Sequence, residues 1–257
     1  MLGKNQIKLI TSLTQKKYRD KHGLFIAEGP KLIQDLLSSG IRPHQLLTTH
    51  DKEFALQEAG ITQFQTIEET EMKKISLLKT PQGMLGVFKK PGQNFRFGDH
   101  RNDLTLCLDG IQDPGNMGTI LRLADWFGFS PIVCSMDSAD VFNPKVVQAS
   151  MGALGRVSVH YTDLAQFCLS SASELKLPVF GTFMDGENIY TAQLPEKGLI
   201  IMGNEGQGIR PETADAVTSR LAIPGFSSHP TEMESLNVAV ATAIVCAEFK
   251  RQITFPS

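Results

Sequence analysis

Residues 108–122 read LDGIQDPGNMGTILR, and this stretch decides the fold. The LTLC before it is an apolar run of strand length, and MGTILRLADWFG at its far end has a helical period. The stretch is therefore a strand end, a glycine loop and a helix start in one. Gly110, Gly115 and Gly118 let backbone approach a ligand closely, and Asn116 stands where it can cap the helix. Arg122 follows nearly two helical turns later. Taken alone, the stretch also fits a plain helix with Asn116 as its cap and Arg122 as a surface charge.

Two other junctions are built the same way: IMGNEGQGIR at 201–210, and IPGF at 223–226 followed by ESLNV at 234–238. Strands at LTLCLDG, PIVCS, RVSVHY, PVFGTF, GLIIMGN and RLAIPG alternate with segments of helical period. This alternation predicts a mostly parallel sheet with helices on both faces, in which ligands bind at the carboxyl ends of strands. Asn143 and Asp163 fit as N-caps, with Pro144 at the first helical position. The last helix follows ESLN, where Ser235 and Asn237 have the residue types of caps.

Upstream, KKPGQNFRFGDHRN at 89–102 is rich in Pro, Gly, Asn and charge, and reads as a linker. Before it, a helix over 6–18, a strand at LFIAEG, a helix at PKLIQDLLSSG and strands at HQLLTTH and GMLGVFKK make a small α/β unit. The expected domains are 1–95 and 103–257.

Charge separates the same two parts. Residues 1–102 carry 16 Lys+Arg against 10 Asp+Glu, a net of +6, whereas 103–257 carry 9 against 17, a net of −8. A basic first half invites a polyanion, and Lys16, Lys17, Arg19 and Lys21 are concentrated near its start; a solvated helix face is the alternative reading. With 41% hydrophobic and 20% charged residues, the chain has the composition of an ordinary globular protein. Its start has no continuous apolar core and no later run is long enough to span a bilayer, so it reads as cytoplasmic with no membrane partner. Cys107, Cys134, Cys168 and Cys246 are far apart, which suggests buried thiols rather than zinc or disulfides.

Several enzyme classes lose their best signals. GNEGQG has the wrong spacing for a dinucleotide loop, and G-x-x-x-x-G-K-[ST], G-x-S-x-G and H-E-x-x-H are all absent. His229 is the one histidine inside a candidate site loop, and it is assigned no role.

DPGNMGTILR, GNEGQGI and ESLNVAVA, in this order and at these strand ends, resemble the three motifs of the SpoU (TrmH-type) RNA 2′-O-ribose methyltransferases of the SPOUT superfamily. KVVQASMGAL is similar to a further helix of that family, and KYRDKHGLFIAEGPKLIQDLL to the substrate-binding domain many members carry. The resemblance implies a small N-terminal α/β domain followed by an α/β domain with a trefoil knot, and a homodimer. It implies S-adenosylmethionine as cofactor, held through Thr182, Gly203, Ile223 and Leu236, a tRNA or rRNA substrate, and no metal.

The same likeness assigns the catalytic polar groups to Asn116, Arg122, Glu205, Ser235 and Asn237. Family proposals make the arginine a general base. A guanidinium with a pKa above about 12 is better suited to binding phosphate or a developing alkoxide. Glu205 could be the base, or could anchor its loop by accepting backbone hydrogen bonds. The rival readings are a noncatalytic RNA-binding relative, which would lose this polarity, and another nucleotide-binding α/β enzyme such as a dehydrogenase.

Overall fold

The computed structural model describes every residue except 59, 93–94, 227–234 and 256–257. The chain forms two compact units, one of Met1–Gly92 with Asp140–Arg156, the other of Gln93–Ala139 with Val157–Ser257. Residues 140–156, which by sequence belong to the second half, thus pack with the first.

The first unit contains α1 (Lys4–Ser12), α2 (Lys16–His22), β1 (Leu24–Glu28), α3 (Pro30–Ser38), β2 (Pro43–Thr48), α4 (Glu53–Glu58), β3 (Gln65–Thr66), α5 (Glu69–Ile75) and β4 (Met84–Lys89). Its sheet runs β1-β4-β2-β3, antiparallel except for the β2/β3 pair. Leu24, Ile26, Leu47, Leu85 and Val87 from the strands bury against Ile10, Leu13, Met72 and Ile75. The helix predicted over 6–18 is two helices. Arg19 explains the break: its Nη1 donates to the carbonyls of Leu13 and Thr14 at 3.0 and 2.8 Å, satisfying oxygens that a continuous helix would have used itself.

The second unit opens with β5 (Leu104–Leu108), α6 (Pro114–Phe127) and β6 (Ile132–Ser135). After α7 (Pro144–Ser150), which packs on β1 in the first unit, it resumes with β7 (Val159–Thr162), α8 (Leu164–Ser173), β8 (Val179–Asn188), β9 (Gly198–Met202), α9 (Pro211–Ala214), β10 (Ser219–Ala222) and α10 (Val238–Thr254). The six strands lie in the order β10-β8-β9-β5-β6-β7, with every described pairing parallel, as the sequence predicts. β5 and β9 are buried throughout, which is why β9 reads as an unbroken apolar run and β5 as one broken only by the buried Thr105, rather than as alternating strands. All four cysteines are buried free thiols.

From β5 the chain moves outward through β6 to β7, then returns to lay β8, β9 and β10 on the other side. The order reverses between β5 and β9, so the crevice outside the carboxyl ends of these two strands is the favoured ligand position. The loops at those ends are LDGIQDPGN and GNEGQGIR.

Helix starts follow caps read from sequence at Asn143, Asp163 and Asn237. Asn143 accepts from the Lys145 amide and Asp163 from the Gln166 amide, and Pro144 opens α7. α6 differs: its N-cap is Asp113, whose carboxylate accepts from the Asn116 amide at 2.8 Å. Asn116 sits inside the first turn, and its side chain is left for other contacts. The SMGA segment is likewise not helix interior. α7 ends at Ser150, Met151 is left-handed at φ 46, and a side chain on Gly152 would collide with Asp35 of α3.

Candidate active site

Two loops face each other across the switch point. Asp109, directly after β5, is fully buried and is met by Arg210, which donates from Nε at 2.7 Å, from Nη2, and from its backbone amide at 2.9 Å. That carboxylate holds the guanidinium in its charged form, raising its pKa further. Asn204 donates to the Gly110 carbonyl at 2.7 Å and accepts from the Gly206 and Gln207 amides at 2.9 and 3.1 Å. Gly203 is needed here for the loop's own sake, because a side chain would run into the Gly208 and Ile209 backbone. Sequence reasoning named none of Asp109, Asn204 or Arg210. A charged residue ending a largely apolar strand is the available signal for Asp109.

The loop after β9 presents Glu205 to solvent, and Glu205 accepts from Asn116 Nδ2 at 2.6 Å. Its anchoring to backbone amides, one of the two readings of this residue, is performed by its neighbour Asn204 instead. Asn116 Oδ1 in turn accepts from Asn237 Nδ2 at 3.0 Å. Asn237 also caps α10, its Oδ1 accepting from the Ala239 and Val240 amides at 3.0 and 3.3 Å. One residue from each of the three motifs therefore enters a single chain of hydrogen bonds.

The remaining predicted residues are placed less tightly. Arg122 is exposed on α6, and its side chain makes no hydrogen bond or ion pair with another described residue. Ser235 is exposed just before α10. Thr182, at the bend in β8, donates to the Ile201 carbonyl at 3.2 Å, which sets it beside the end of β9 and hence near Gly203. Ile223 and Leu236 flank residues 227–234, so His229 and Glu234 lie outside the described residues. Leu236 leaves 47% of its surface exposed.

On the first unit, Lys16, Lys17 and Lys21 are exposed, but Arg19 is a correction to the RNA-binding set. It is 2% exposed, with Nε and Nη2 on the Asp140 carboxylate at 3.0 and 2.6 Å, and Nη1 on the carbonyls of Leu13 and Thr14 just after α1. Burial and these four hydrogen bonds withdraw the guanidinium from any phosphate at the surface.

Fold and site together define an α/β protein with a parallel sheet whose strand ends, the favoured ligand position of such sheets, carry an amide and carboxylate chain. Residues 103–247 match the SpoU rRNA Methylase family, and residues 4–86 match the MRM3-like substrate binding domain. The chain belongs to the SpoU rRNA Methylase family. It is 31% identical over 249 residues to the Bacillus subtilis 23S rRNA (guanosine(2553)-2′-O)-methyltransferase RlmP, covering 94% of this chain and 95% of that protein. With the mitochondrial rRNA methyltransferase 3 of Xenopus laevis it shares 36% over 160 residues, 59% of this chain but 38% of that longer protein. A TrmH-family structure from Porphyromonas gingivalis superposes with a TM-score of 0.87 at 41% identity, covering 98% of this chain and 99% of the other. The AdoMet-bound rRNA methyltransferase from Sinorhizobium meliloti gives 0.77 at 27% identity over 100% and 97%. Among the described residues, no helix is long and apolar enough to cross a membrane.

Proposed function

We propose that this protein transfers a methyl group from S-adenosylmethionine to a ribose 2′-hydroxyl of ribosomal RNA, and that it works in the cytoplasm. The observation that carries the reading is the chain Glu205, Asn116, Asn237, which joins the three motifs at the sheet's switch point. A noncatalytic relative has no need for a carboxylate held ready by an amide in an exposed cleft.

Thr182 within β8, Gly203 after β9 and Leu236 before α10 suit the cofactor. Thr182 and Gly203 are uncharged and offer backbone groups, and the half-exposed Leu236 supplies an apolar surface of the kind a flat purine seeks. S-adenosylmethionine supplies an activated methyl group; the protein must bring the ribose oxygen into line, exclude water and take up a proton. Glu205 is the group able to accept that proton, with Asn116 fixing the direction of its lone pairs. Arg122, whose side chain has no partner among the described residues, is placed to take the RNA phosphate or the developing alkoxide. Ser235 stands next to Asn237 to hydrogen-bond the ribose.

RNA is held through the exposed Lys16, Lys17 and Lys21 of the first unit, in agreement with its charge. The active form is a homodimer, with the family's trefoil knot in the catalytic unit. Trp126 on α6 and Val240 on α10, two helices packed together, are 84% and 51% exposed and await cover. A monomeric mass in light scattering together with full activity would remove the dimer.

The experiment for the reaction is mapping of ribose methylation in 23S rRNA with and without the protein, repeated with Arg122→Ala. The variant should bind cofactor normally and turn over more slowly by a factor of roughly 100. Arg122→Lys should recover part of the loss if charge is what matters, and none if the planar fork is required. Unimpaired turnover of the alanine variant would end the assignment.

A further inference from the structure

The catalytic unit holds a charged cluster that the reaction just described does not use. Asp109 is a fully buried carboxylate, and such a group is tolerable only when completely hydrogen-bonded. One residue, Arg210, supplies both of its oxygens: Nε and Nη2 go to Oδ1 and the backbone amide to Oδ2. Arg210 also reaches Asp137, in the loop after β6, at 3.4 Å. At the near end of the loop after β9, which carries Arg210 at its far end, Asn204 holds the Gly110 carbonyl, and Asn204 and Gly208 exchange two backbone hydrogen bonds of 2.9 Å.

The loop carrying Glu205 is thus gripped at 204 and at 210, in each case by a residue that directly follows β5. Glu205 itself is exposed and meets the rest of the protein through Asn116. Its location therefore depends on those two grips, and a misplacement of about 1 Å at a reacting group can cost on the order of 100-fold in rate. Resting on the functional reading above, we propose that Arg210 is a positioning residue for methyl transfer, clamping the Glu205 loop onto buried Asp109 without touching RNA or cofactor.

The test compares Arg210→Gln, Arg210→Lys, Asp109→Asn and the Asp109→Asn/Arg210→Gln pair in steady-state methylation of a 23S rRNA fragment, below the unfolding temperature of each variant. Hydrogen exchange at the Gly206 and Gln207 amides is followed in parallel. Arg210→Gln should lower kcat about tenfold or more with KM for RNA unchanged within about twofold, and Arg210→Lys should restore part of it. Exchange at both amides should quicken by a similar factor. The double variant should be little worse than Arg210→Gln alone, because the two residues act as one unit. A raised KM with normal kcat, and a salt dependence shallower by about one, would make Arg210 an RNA ligand and overturn the proposal. Unchanged amide exchange would overturn it too. If the unaltered protein methylates no ribosomal RNA, the functional reading fails by itself, and amide exchange still decides whether Arg210 restrains the loop. Should Asp109→Asn not fold, the two Arg210 variants carry the test.

Discussion

Asn237 shows how a single side chain sets the polarity of a whole site. Its Oδ1 must face the Ala239 and Val240 amides, because only an oxygen can accept from them, and this turns its Nδ2 toward Asn116. Asn116 then has to offer its own oxygen to that group and its Nδ2 to Glu205. Capping and site chemistry, which read from sequence as alternatives, are two halves of one amide. They can be separated experimentally. Asn237→Asp keeps an acceptor for the cap but loses the donor, so thermal stability should hold while turnover falls about tenfold or more. Asn237→Ala loses both and should in addition cost about 1 kcal/mol of stability in denaturant titration. Equal activity of the aspartate variant and the unaltered protein would show that the amide chain is not part of the chemistry. The motif strings pointed to Asn116, Glu205 and Asn237. Asp109 and Arg210 went unnoticed because their importance arises from a contact across 101 residues that no local pattern contains.

Among the elements, long ones with a clear period were readable and short ones were not. All six strands of the parallel sheet are legible: β5, β6 and β9 are fully buried and mostly apolar, and the half-buried β7, β8 and β10 still carry short apolar segments set off by turn residues. The two-residue β3 and the short α4, α5 and α9 are not legible because they span too few residues to show a period. The split between α1 and α2 had another cause. Residues 6–18 do have helical period, but Arg19 takes over the carbonyls at 13 and 14 and draws a carboxylate from residue 140. A cluster of basic residues on one short helix therefore contains two kinds of charge. Arg19→Gln should destabilise the protein by about 3 kcal/mol, seen as a lower denaturation midpoint, because Asp140 is left buried without its partner. Lys16→Gln, Lys17→Gln and Lys21→Gln together should leave that midpoint within about 0.5 kcal/mol, yet weaken RNA binding and flatten its salt dependence. The reverse pattern would return Arg19 to the RNA surface.

Across the whole molecule, the segment read as a linker is only partly one. Phe95 and Phe97 pack with His100 and Phe167 inside the second unit, and Phe95 also meets His160. Burial lowers the pKa of both His100 and His160, so each stays neutral in the folded protein, and their Nδ1 atoms have no partner among the described residues. The unfolded chain takes up protons at these positions near pH 6.5, before the folded one does. Stability should thus fall as pH drops from about 6.5 toward 5, above the range where carboxylates titrate. Urea midpoints at pH 7.5 and 5.5 check this, and His100→Gln should reduce the difference; a flat profile would show that the two rings gain partners in solution. Residues 140–156 have a further consequence, because they complete the first unit but are synthesised after β5, α6 and β6. During translation the Arg19 guanidinium leaves the ribosome more than a hundred residues before its carboxylate does. The nascent first unit must wait with its helix pair unsealed, and it closes only once part of the catalytic half has already emerged.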